Sequence, residues 1–212
     1  MSQGHFIAFE GGEGTGKSTQ AKLFFDHLQH EGIAAVITRE PGGTPGAEAI
    51  RSLLLDPPGE GWNSRAEALL FAAARSDHVE KLIGPAIADG KWVICDRFVD
   101  SSRAYQGGAG ALGDKTIVDM HALGSKGLFP ELTILIDVAA EQITARLAER
   151  DGDSSDAIGG RSAQYHQVVG ERFREMAGEA PDRFVIIDGT GTIEQVHARV
   201  LQTVSARVGG AS

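Results

Sequence analysis

Five short runs of apolar residues recur along the chain, and each is bounded by polar or glycine-rich sequence. They cover about residues 5–10, 34–39, 92–96, 132–137 and 184–187. Runs of this length that are apolar at successive positions are typical of strands buried on both faces, as in a parallel sheet. The pattern therefore predicts five parallel strands.

Longer stretches with the helical spacing of apolar residues separate these runs. They cover about residues 17–31, 46–56, 64–88, 114–124, 140–150, 162–178 and 192–207. Ser64 and Glu67 have the spacing of a capping box at the start of the third stretch. Strands that alternate with helices form a parallel sheet with helices on both faces, so we expect an α/β fold.

Length and composition fit one globular domain over residues 1–212. Of the 212 residues, 42% are hydrophobic and 23% are charged, which suits a chain with a sizeable core. The polar, glycine-rich segment 151–160 predicts a mobile surface loop. We place a short lid around residues 146–161.

Charge and composition argue against several classes of protein. The net charge of −9 disfavours nucleic-acid binding, which favours a basic face. No apolar run approaches the about 18 residues of a membrane span, and the N-terminal residues do not resemble a signal peptide. The lone cysteine, Cys95, excludes an internal disulfide and is expected to be buried in its strand. We therefore expect a cytoplasmic protein without a membrane partner.

The sequence Gly-Gly-Glu-Gly-Thr-Gly-Lys-Ser at residues 11–18 lies between the first predicted strand and the first predicted helix. This is the context of a phosphate-binding loop, in which glycines let successive backbone N–H groups point at phosphates. Lys17 is expected to reach the β- and γ-phosphates, and the Ser18 hydroxyl to bind Mg²⁺. A glycine-rich turn without a ligand is the alternative. The expected nucleotide-binding residues are Gly11, Gly12, Glu13, Gly14, Thr15, Gly16, Lys17, Ser18 and Thr19.

Three predicted strands end in an aspartate, at Asp96, Asp137 and Asp188. A second acidic ligand for Mg²⁺ is expected at such a position in nucleotide-binding folds of this kind. We favour Asp96, together with Ser18, because the adjacent Arg97 can bind a phosphate beside the metal. Asp137 and Asp188 remain rivals, and capping of the loop is the alternative role for Asp96.

Several arginines are candidates for phosphate binding. Arg97 lies at the carboxyl end of the third strand, although it could instead pair with Asp96 or Asp100. Arg39 and Arg51 are weaker candidates in the second strand–loop–helix unit. A further set, which flanks the glycine-rich loop, could equally form a solvated charged face. It consists of Arg146, Arg150 and Arg161.

Phe71 and Arg75 are four residues apart on a predicted helix, so they share one face. Periodicity alone favours a core phenylalanine and a surface arginine at these positions. A binding role for the pair is the alternative.

The segment from Asp96 to Gln106, with Asp-Arg-Phe followed by Ser101-Ser102 and by Ala104-Tyr105-Gln106, closely resembles the signature of thymidylate kinases. Residues 9–19, 39–44 and 70–75 resemble other segments of that family, so the likeness covers nearly the whole chain in order. It implies transfer of the γ-phosphoryl group of ATP to dTMP, with Mg²⁺. It also implies a P-loop nucleoside-monophosphate-kinase fold with strand order 2-3-1-4-5, and a homodimer. A cis bond between Glu40 and Pro41 is expected from the same likeness.

The resemblance also implies roles for individual residues. Phe71 would stack on thymine, and Arg75 would donate to its O4 atom. Arg97 would hold the acceptor phosphate, with Arg51 helping. Other contacts to dTMP would come from Glu13, Ser102, Tyr105 and Gln106. Arg39 stays a candidate contact to dTMP on its position alone.

The phosphate loop and the lid indicate the bacterial type of this family. Eukaryotic-type members of the family have an arginine in the phosphate loop, at the position where this chain has Gly14. Bacterial-type members place the basic group in the lid, where this chain has Gly160-Arg161 instead of the usual Asp-Arg. We take Arg150 as the catalytic lid residue, beside Lys17, Asp96 and Arg97, and Arg146 and Arg161 remain candidates for the same role.

Two other functions remain open from the residues. One is a kinase of another nucleotide or of a deoxynucleoside. The other is a GTP-binding switch, which recognises guanine with Asn-Lys-x-Asp. It is the least favoured, because Asn63 is the sole asparagine of the chain and is followed by Ser64.

Overall fold

The computed structural model describes residues 4–139, 142–143 and 157–208. Its strands are β1 (Phe6–Glu10), β2 (Ala35–Arg39), β3 (Trp92–Asp96), β4 (Leu132–Asp137) and β5 (Phe184–Asp188). They form one sheet in the order β2-β3-β1-β4-β5, and every neighbouring pair is parallel. The predicted α/β class and strand order are confirmed.

The described helices cover most of the segments that the sequence predicts. They are α1 (Lys17–His30), α2 (Pro45–Leu55), α3 (Ser64–His78), α4 (Gly84–Ala88), α5 (Val99–Ser102), α6 (Asp114–Ser125), α7 (Ala163–Glu179) and α8 (Ile193–Arg207). The predicted helix 64–88 is divided, because the π-helical segment Val79–Ile83 joins α3 to α4. A second π-helical segment, Arg103–Ala109, extends α5, a helix that the apolar pattern did not indicate.

Two predictions fall mainly outside the described residues. They are the helix at 140–150 and the lid at 146–161, of which residues 157–161 are described. The predicted mobile loop 151–160 is likewise described only from residue 157.

Successive residues of β1 pack against helices on opposite faces of the sheet. Ile7 and Phe9 lie in one cluster with residues of α1 and α8, whereas Phe6 and Ala8 lie in another with residues of α4. This alternation follows from the two-residue repeat of a strand. All four side chains are buried, as is Cys95. Across the described residues, no helix has the length and apolarity needed to cross a membrane.

The start of α3 differs from the prediction. The cap is Asn63, whose Oδ1 accepts from the N–H groups of Arg65 and Ala66 at 3.1 and 3.0 Å. Ser64 is already inside the helix. The predicted capping box is wrong because the carboxylate of Glu67 is turned away and accepts from Gln106.

The carboxyl ends of β1, β2 and β3 meet at one edge of the sheet. Hydrogen bonds tie the connecting segments together, from the N–H of Glu40 to the carbonyl of Asp96 (3.0 Å) and from the N–H of Arg97 to the carbonyl of Phe9 (2.9 Å). The Glu40–Pro41 peptide bond is cis, as expected. Ligand sites of open parallel sheets lie at this edge, where these segments leave the sheet.

Candidate active site

The phosphate loop wraps the start of α1. Gly11, Gly14 and Gly16 have φ angles of 145°, 72° and 91°, which side-chain-bearing residues rarely adopt. A Cβ on Gly11 would also lie 2.6 Å from the carbonyl oxygen of Ile136. The glycines are therefore required by the path of the backbone, which leads directly into the helix at Lys17.

Lys17 is buried beneath this loop, and its Nζ donates to the carbonyl of Gly12 at 3.1 Å. Burial and, to a smaller extent, the nearby charge of Arg97 lower the pKa of Lys17 to about 8. A lysine with this pKa is still mostly protonated at neutral pH, so it offers a weakly hydrated charge for a phosphate.

Arg97 follows β3 in a left-handed backbone conformation, with φ of 68°. Its guanidinium donates to four groups at distances of 2.6–3.3 Å. These are the carbonyl of Gly11, the hydroxyls of Ser101 and Tyr105, and the carboxylate of Glu13. Burial opposes the charge, but Tyr105, Glu13 and other acidic neighbours keep the pKa of Arg97 above its ordinary value.

The alternative pairing of Arg97 with Asp96 or Asp100 is wrong. Asp100 is bound instead by Arg183 and Arg103. Arg97 is turned toward the phosphate loop, where it closes the cavity described next.

One cavity of about 180 Å³ is lined by the side chains that the sequence singled out for binding dTMP and for catalysis, apart from Arg150, which lies outside the described residues. Its lining includes Glu13, Lys17, Ser18, Arg39, Arg51, Phe71, Arg75, Asp96, Arg97, Ser102, Tyr105 and Gln106. A second cavity, bordered by the start of α8, is lined by four other residues of the loop. They are Gly14, Thr15, Gly16 and Thr19.

Asp96 has the properties of a cation ligand. It shares the cavity with Ser18, and its Oδ1 is buried without a hydrogen-bond partner among the described residues. A buried, unpartnered carboxylate oxygen fits a divalent cation. The rival aspartates are engaged, Asp137 by Arg174 at 2.9 and 3.0 Å and Asp188 by Thr190 at 2.9 and 2.8 Å.

Arg75 is buried, with 3% of its surface exposed, so the expected surface position is wrong. Its Nε donates to Glu40 at 2.7 Å and its Nη2 donates to Ser102 at 2.8 Å. The guanidinium also lies over the ring of Phe98, 5.4 Å from its centroid. Periodicity failed here because the partners of Arg75 come from segments remote in sequence.

The remaining predicted contacts, Arg51, Arg39 and Tyr105, also line the cavity. Arg51 donates to the carbonyl of Pro41 at 2.7 Å, and Arg39 donates to Glu48 at 3.1 Å. Tyr105 is 4% exposed, and burial raises the pKa of its hydroxyl.

Among the lid arginines, Arg146 and Arg150 lie outside the described residues. Arg161 donates to the carboxylate of Glu67 on α3 and to the hydroxyl of Tyr165. The same Glu67 accepts from Gln106 at 2.8 Å. Arg161 therefore ties the start of α7 to the wall of the cavity.

Sequence reasoning missed several buried polar residues around the cavity. Glu10, which is fully buried, accepts from the N–H groups of Phe98 and Ser101 and from the Ser101 hydroxyl, at 2.8, 3.0 and 2.6 Å. Burial raises the pKa of Glu10 to about 7. Glu40, Glu67 and His78 were missed as well. The available signal was a carboxylate at the end of an apolar strand, since buried charges require partners.

Comparison with known proteins places this geometry in a family. The sequence model of the family described as Thymidylate kinase matches residues 9–200. A thymidylate kinase of Rhizorhabdus wittichii is 50% identical over 202 residues, covering 95% of this chain and 97% of the relative. One from Symbiobacterium thermophilum is 45% identical over 199 residues, covering 94% and 92%.

A solved structure supports the same placement. The crystal structure of thymidylate kinase from Ehrlichia chaffeensis is similar with a TM-score of 0.75 and 30% identity, over 95% of this chain and 98% of that one. The chain belongs to the thymidylate kinase family.

Proposed function

We propose that this protein phosphorylates dTMP to dTDP, with ATP as the donor and Mg²⁺ as the required cation. Membership of the thymidylate kinase family supports this activity. The observation that carries the proposal is the shared cavity, which is lined by Lys17 and Arg97 as well as by Phe71 and Arg75. Cationic side chains for a phosphate, together with an aromatic ring and a hydrogen-bond donor for a base, suit a nucleotide acceptor.

In the proposed reaction the residues act by position and charge. Arg97, with Arg51, holds the phosphate of dTMP, which is already a nucleophile at neutral pH. Lys17 and Arg97 then stabilise the negative charge that spreads over the transferring group. Mg²⁺ held by Ser18 and Asp96 would neutralise charge on the phosphates of ATP. Arg150 of the lid would complete the positive surroundings.

Within this cavity, Phe71 would stack on the base of dTMP and Arg75 would face its O4 atom. A guanidinium only donates hydrogen bonds, so it matches the carbonyl of thymine and is opposed by the 4-amino group of cytosine. Glu13 and Tyr105 would lie near the sugar, while Arg39, Ser102 and Gln106 would border the pocket.

We also propose a single cytoplasmic domain with a lid at about residues 146–161, and a homodimer. Helix α3 packs between α2 and α6, and each of these helices exposes a leucine. Leu53, Leu69 and Leu123 are 44%, 58% and 89% exposed. Light scattering of the purified protein tests the dimer, and Leu123→Glu should convert it to a monomer.

A screen of phosphate acceptors with ATP tests the activity. ADP formation and the phosphorylated product are measured with dTMP, dUMP, dCMP, dGMP and thymidine, each with and without Mg²⁺. We expect dTMP to be the best acceptor and the reaction to require the cation. Preference for thymidine or for another nucleotide would support the alternative kinases. GTP hydrolysis without any acceptor would support the switch.

A further inference from the structure

His78 is fully buried on α3, three residues after Arg75. It has no place among the groups proposed to touch substrate. Its Nδ1 lies 3.0 Å from Oε1 of Glu40, and its Nε2 lies 2.7 Å from Oγ1 of Thr38. A buried imidazole with both nitrogens engaged is fixed in orientation, so its function has to be sought in what it holds.

Glu40 joins His78 to Arg75. One carboxylate oxygen faces Nδ1 of His78, and the other accepts from Nε of Arg75 at 2.7 Å. With Nδ1–H facing the carboxylate and Nε2 accepting from the Thr38 hydroxyl, a single tautomer satisfies both contacts. The four residues Thr38, His78, Glu40 and Arg75 form a continuous hydrogen-bonded chain, which we call the relay.

The end of the relay is the guanidinium that lines the cavity. Nε of Arg75 is used by Glu40, and Nη2 is used by Ser102 and lies 3.5 Å from the carbonyl of Phe98. Among the described residues, Nη1 donates to no group, so it is the nitrogen left for a ligand in the cavity.

The loop after β2 closes over the other end of the relay. Gly43 has φ of 89°, and a Cβ there would lie 2.4 Å from Oγ1 of Thr38 and 2.5 Å from Nε2 of His78. Because a side chain at this position would push into the Thr38–His78 hydrogen bond, the loop can pass here only as glycine. Of the relay, His78, Glu40 and Arg75 are buried, and Thr38 is partly exposed.

We propose that His78 is a specificity-determining positioning residue, which acts through Glu40 to aim Arg75 at the base of the acceptor. This rests on the proposed role of Arg75 in reading thymine. Without His78, one oxygen of a buried carboxylate loses its donor, and the carboxylate is free to rotate about its last bond. The Nε contact that fixes the guanidinium is then lost, and so is discrimination between a carbonyl and an amino group at the base.

Two amide substitutions divide the relay. In His78→Asn the amide nitrogen occupies the place of Nδ1 and still donates to Glu40, whereas in His78→Gln the amide reaches the place of Nε2 and keeps only the Thr38 contact. The measurement is kcat/KM for dTMP and for dCMP, with the KM for ATP as a reference. We expect His78→Gln to reduce the dTMP/dCMP ratio about 5-fold or more, the cost of a disturbed buried hydrogen bond, and His78→Asn to retain the ratio.

A double-mutant cycle shows whether the effect passes through Arg75. In an Arg75→Ala background, His78→Gln should change the ratio no further. If His78→Gln proves insoluble, Thr38→Val removes only the hydroxyl at the far end of the relay and should lower the ratio in the same direction.

The outcomes separate the relay from the proposed function. If Arg75→Ala abolishes the preference for dTMP but the His78 and Thr38 variants keep it, the relay is overturned and the role of Arg75 stands. Equal loss of melting temperature in both His78 variants with unchanged ratios would assign His78 a purely structural role. If Arg75→Ala itself leaves the preference intact, both the relay and the proposed base contact are wrong.

Discussion

Arg97 donates to Oε1 of Glu13 at 2.6 Å, so the arginine after β3 is paired across the cavity with the middle of the phosphate loop. The side chains of this pair are 14% and 25% exposed. A dTMP phosphate bound to Arg97 would replace Glu13 as one of the acceptors of the guanidinium. The carboxylate of Glu13 would then face the sugar. In the proposed reaction, this pair would link the group that holds the dTMP phosphate to the loop that holds ATP.

We predict that Arg97→Lys lowers kcat/KM for dTMP on the order of 10²-fold, although the charge is kept. A lysine cannot bridge the Gly11 carbonyl, the Ser101 hydroxyl and Glu13 at the same time, as the guanidinium does. Steady-state kinetics with dTMP varied at saturating ATP measures the effect. Arg103→Lys is the matched control, since Arg103 is also paired with carboxylates but lies outside the cavity lining. If Arg97→Lys keeps an activity within a few-fold of that of the unmodified protein, only the positive charge of Arg97 matters and its hydrogen-bond geometry does not.

Lys17→Ala should lower kcat by about 10³-fold or more, because it removes the buried charge aimed at the transferring group. Coupled measurement of ADP formation detects this change. Lys22→Ala serves as the control, since Lys22 is on the same helix but exposed and paired with Asp26. Substantial activity in Lys17→Ala would disprove the assignment of the phosphate loop.

Glu10 gives a prediction about stability and pH. Burial raises its pKa in the folded protein to about 7 from an ordinary 4.5. A carboxyl with a raised folded-state pKa contributes stability that is fully present below pH 4.5 and is lost as the pH rises through 7. Glu10→Gln stays neutral and keeps the shape of the protonated acid. The free energy of unfolding of the unmodified protein should therefore fall relative to Glu10→Gln between these pH values, by about 3 kcal/mol at most.

Denaturant titrations of both proteins from pH 4.5 to 8.5 test this. Glu31→Gln, an exposed change at the end of α1, controls for the loss of a carboxylate. If the free energy of unfolding of the two proteins changes with pH in the same way, Ser101 and the backbone N–H groups keep the Glu10 carboxylate charged at low pH, and the prediction is wrong.

The strands were predictable because each is a short apolar run that can be read from local sequence. Their order was predictable from the resemblance to a known family. Ile7 and Phe9 could be assigned to a buried strand without knowing what covers them. The cap of α3 was misplaced by one residue, because Asn63 and Ser64 are both good caps and the choice depends on Glu67. That carboxylate is held by Gln106, 39 residues away, which no local pattern reveals.

The site was predictable as a set of residues but not as a set of contacts. Asp96, Asp137 and Asp188 are equivalent in sequence, and the structure distinguishes them by their partners. Two of them are engaged by Arg174 and Thr190, whereas Asp96 keeps a buried oxygen unpartnered among the described residues. Burial of Arg75 depends in the same way on Glu40, 35 residues earlier in the chain.

For the lid, we predict that Arg150→Ala lowers kcat much more than it weakens dTMP binding. This is the expected pattern for a contact made mainly in the transition state. Arg161 is already bound to Glu67 and Tyr165. Arg161→Ala should therefore mainly lower the melting temperature, by loosening the contact between the start of α7 and α3. The test compares kcat, dTMP affinity by calorimetry and melting temperature. A silent Arg150→Ala beside an inactive Arg146→Ala or Arg161→Ala would move the catalytic role to that residue.

The choice of base should depend on Phe71 and Arg75 in different ways. A stacked ring accepts any flat base, so Phe71 supplies affinity without choice, whereas the donor Arg75 favours the O4 of thymine over the 4-amino group of cytosine. An unmade buried hydrogen bond costs about 1–3 kcal/mol, or roughly 5- to 150-fold. We therefore predict that dCMP is a poor acceptor, and that Arg75→Ala narrows the dTMP/dCMP ratio mainly by harming dTMP.

Phe71→Ala should weaken the binding of both acceptors and leave their ratio nearly unchanged. Measuring kcat/KM for dTMP and dCMP in both variants separates the two roles. Because Arg75 is bound to Glu40 and Ser102, Arg75→Ala also leaves buried groups unpaired. Melting temperatures must therefore accompany the kinetics. A destabilised Arg75→Ala that still prefers dTMP as strongly as the unmodified protein would make Arg75 a structural residue and assign the choice of base to another side chain of the cavity.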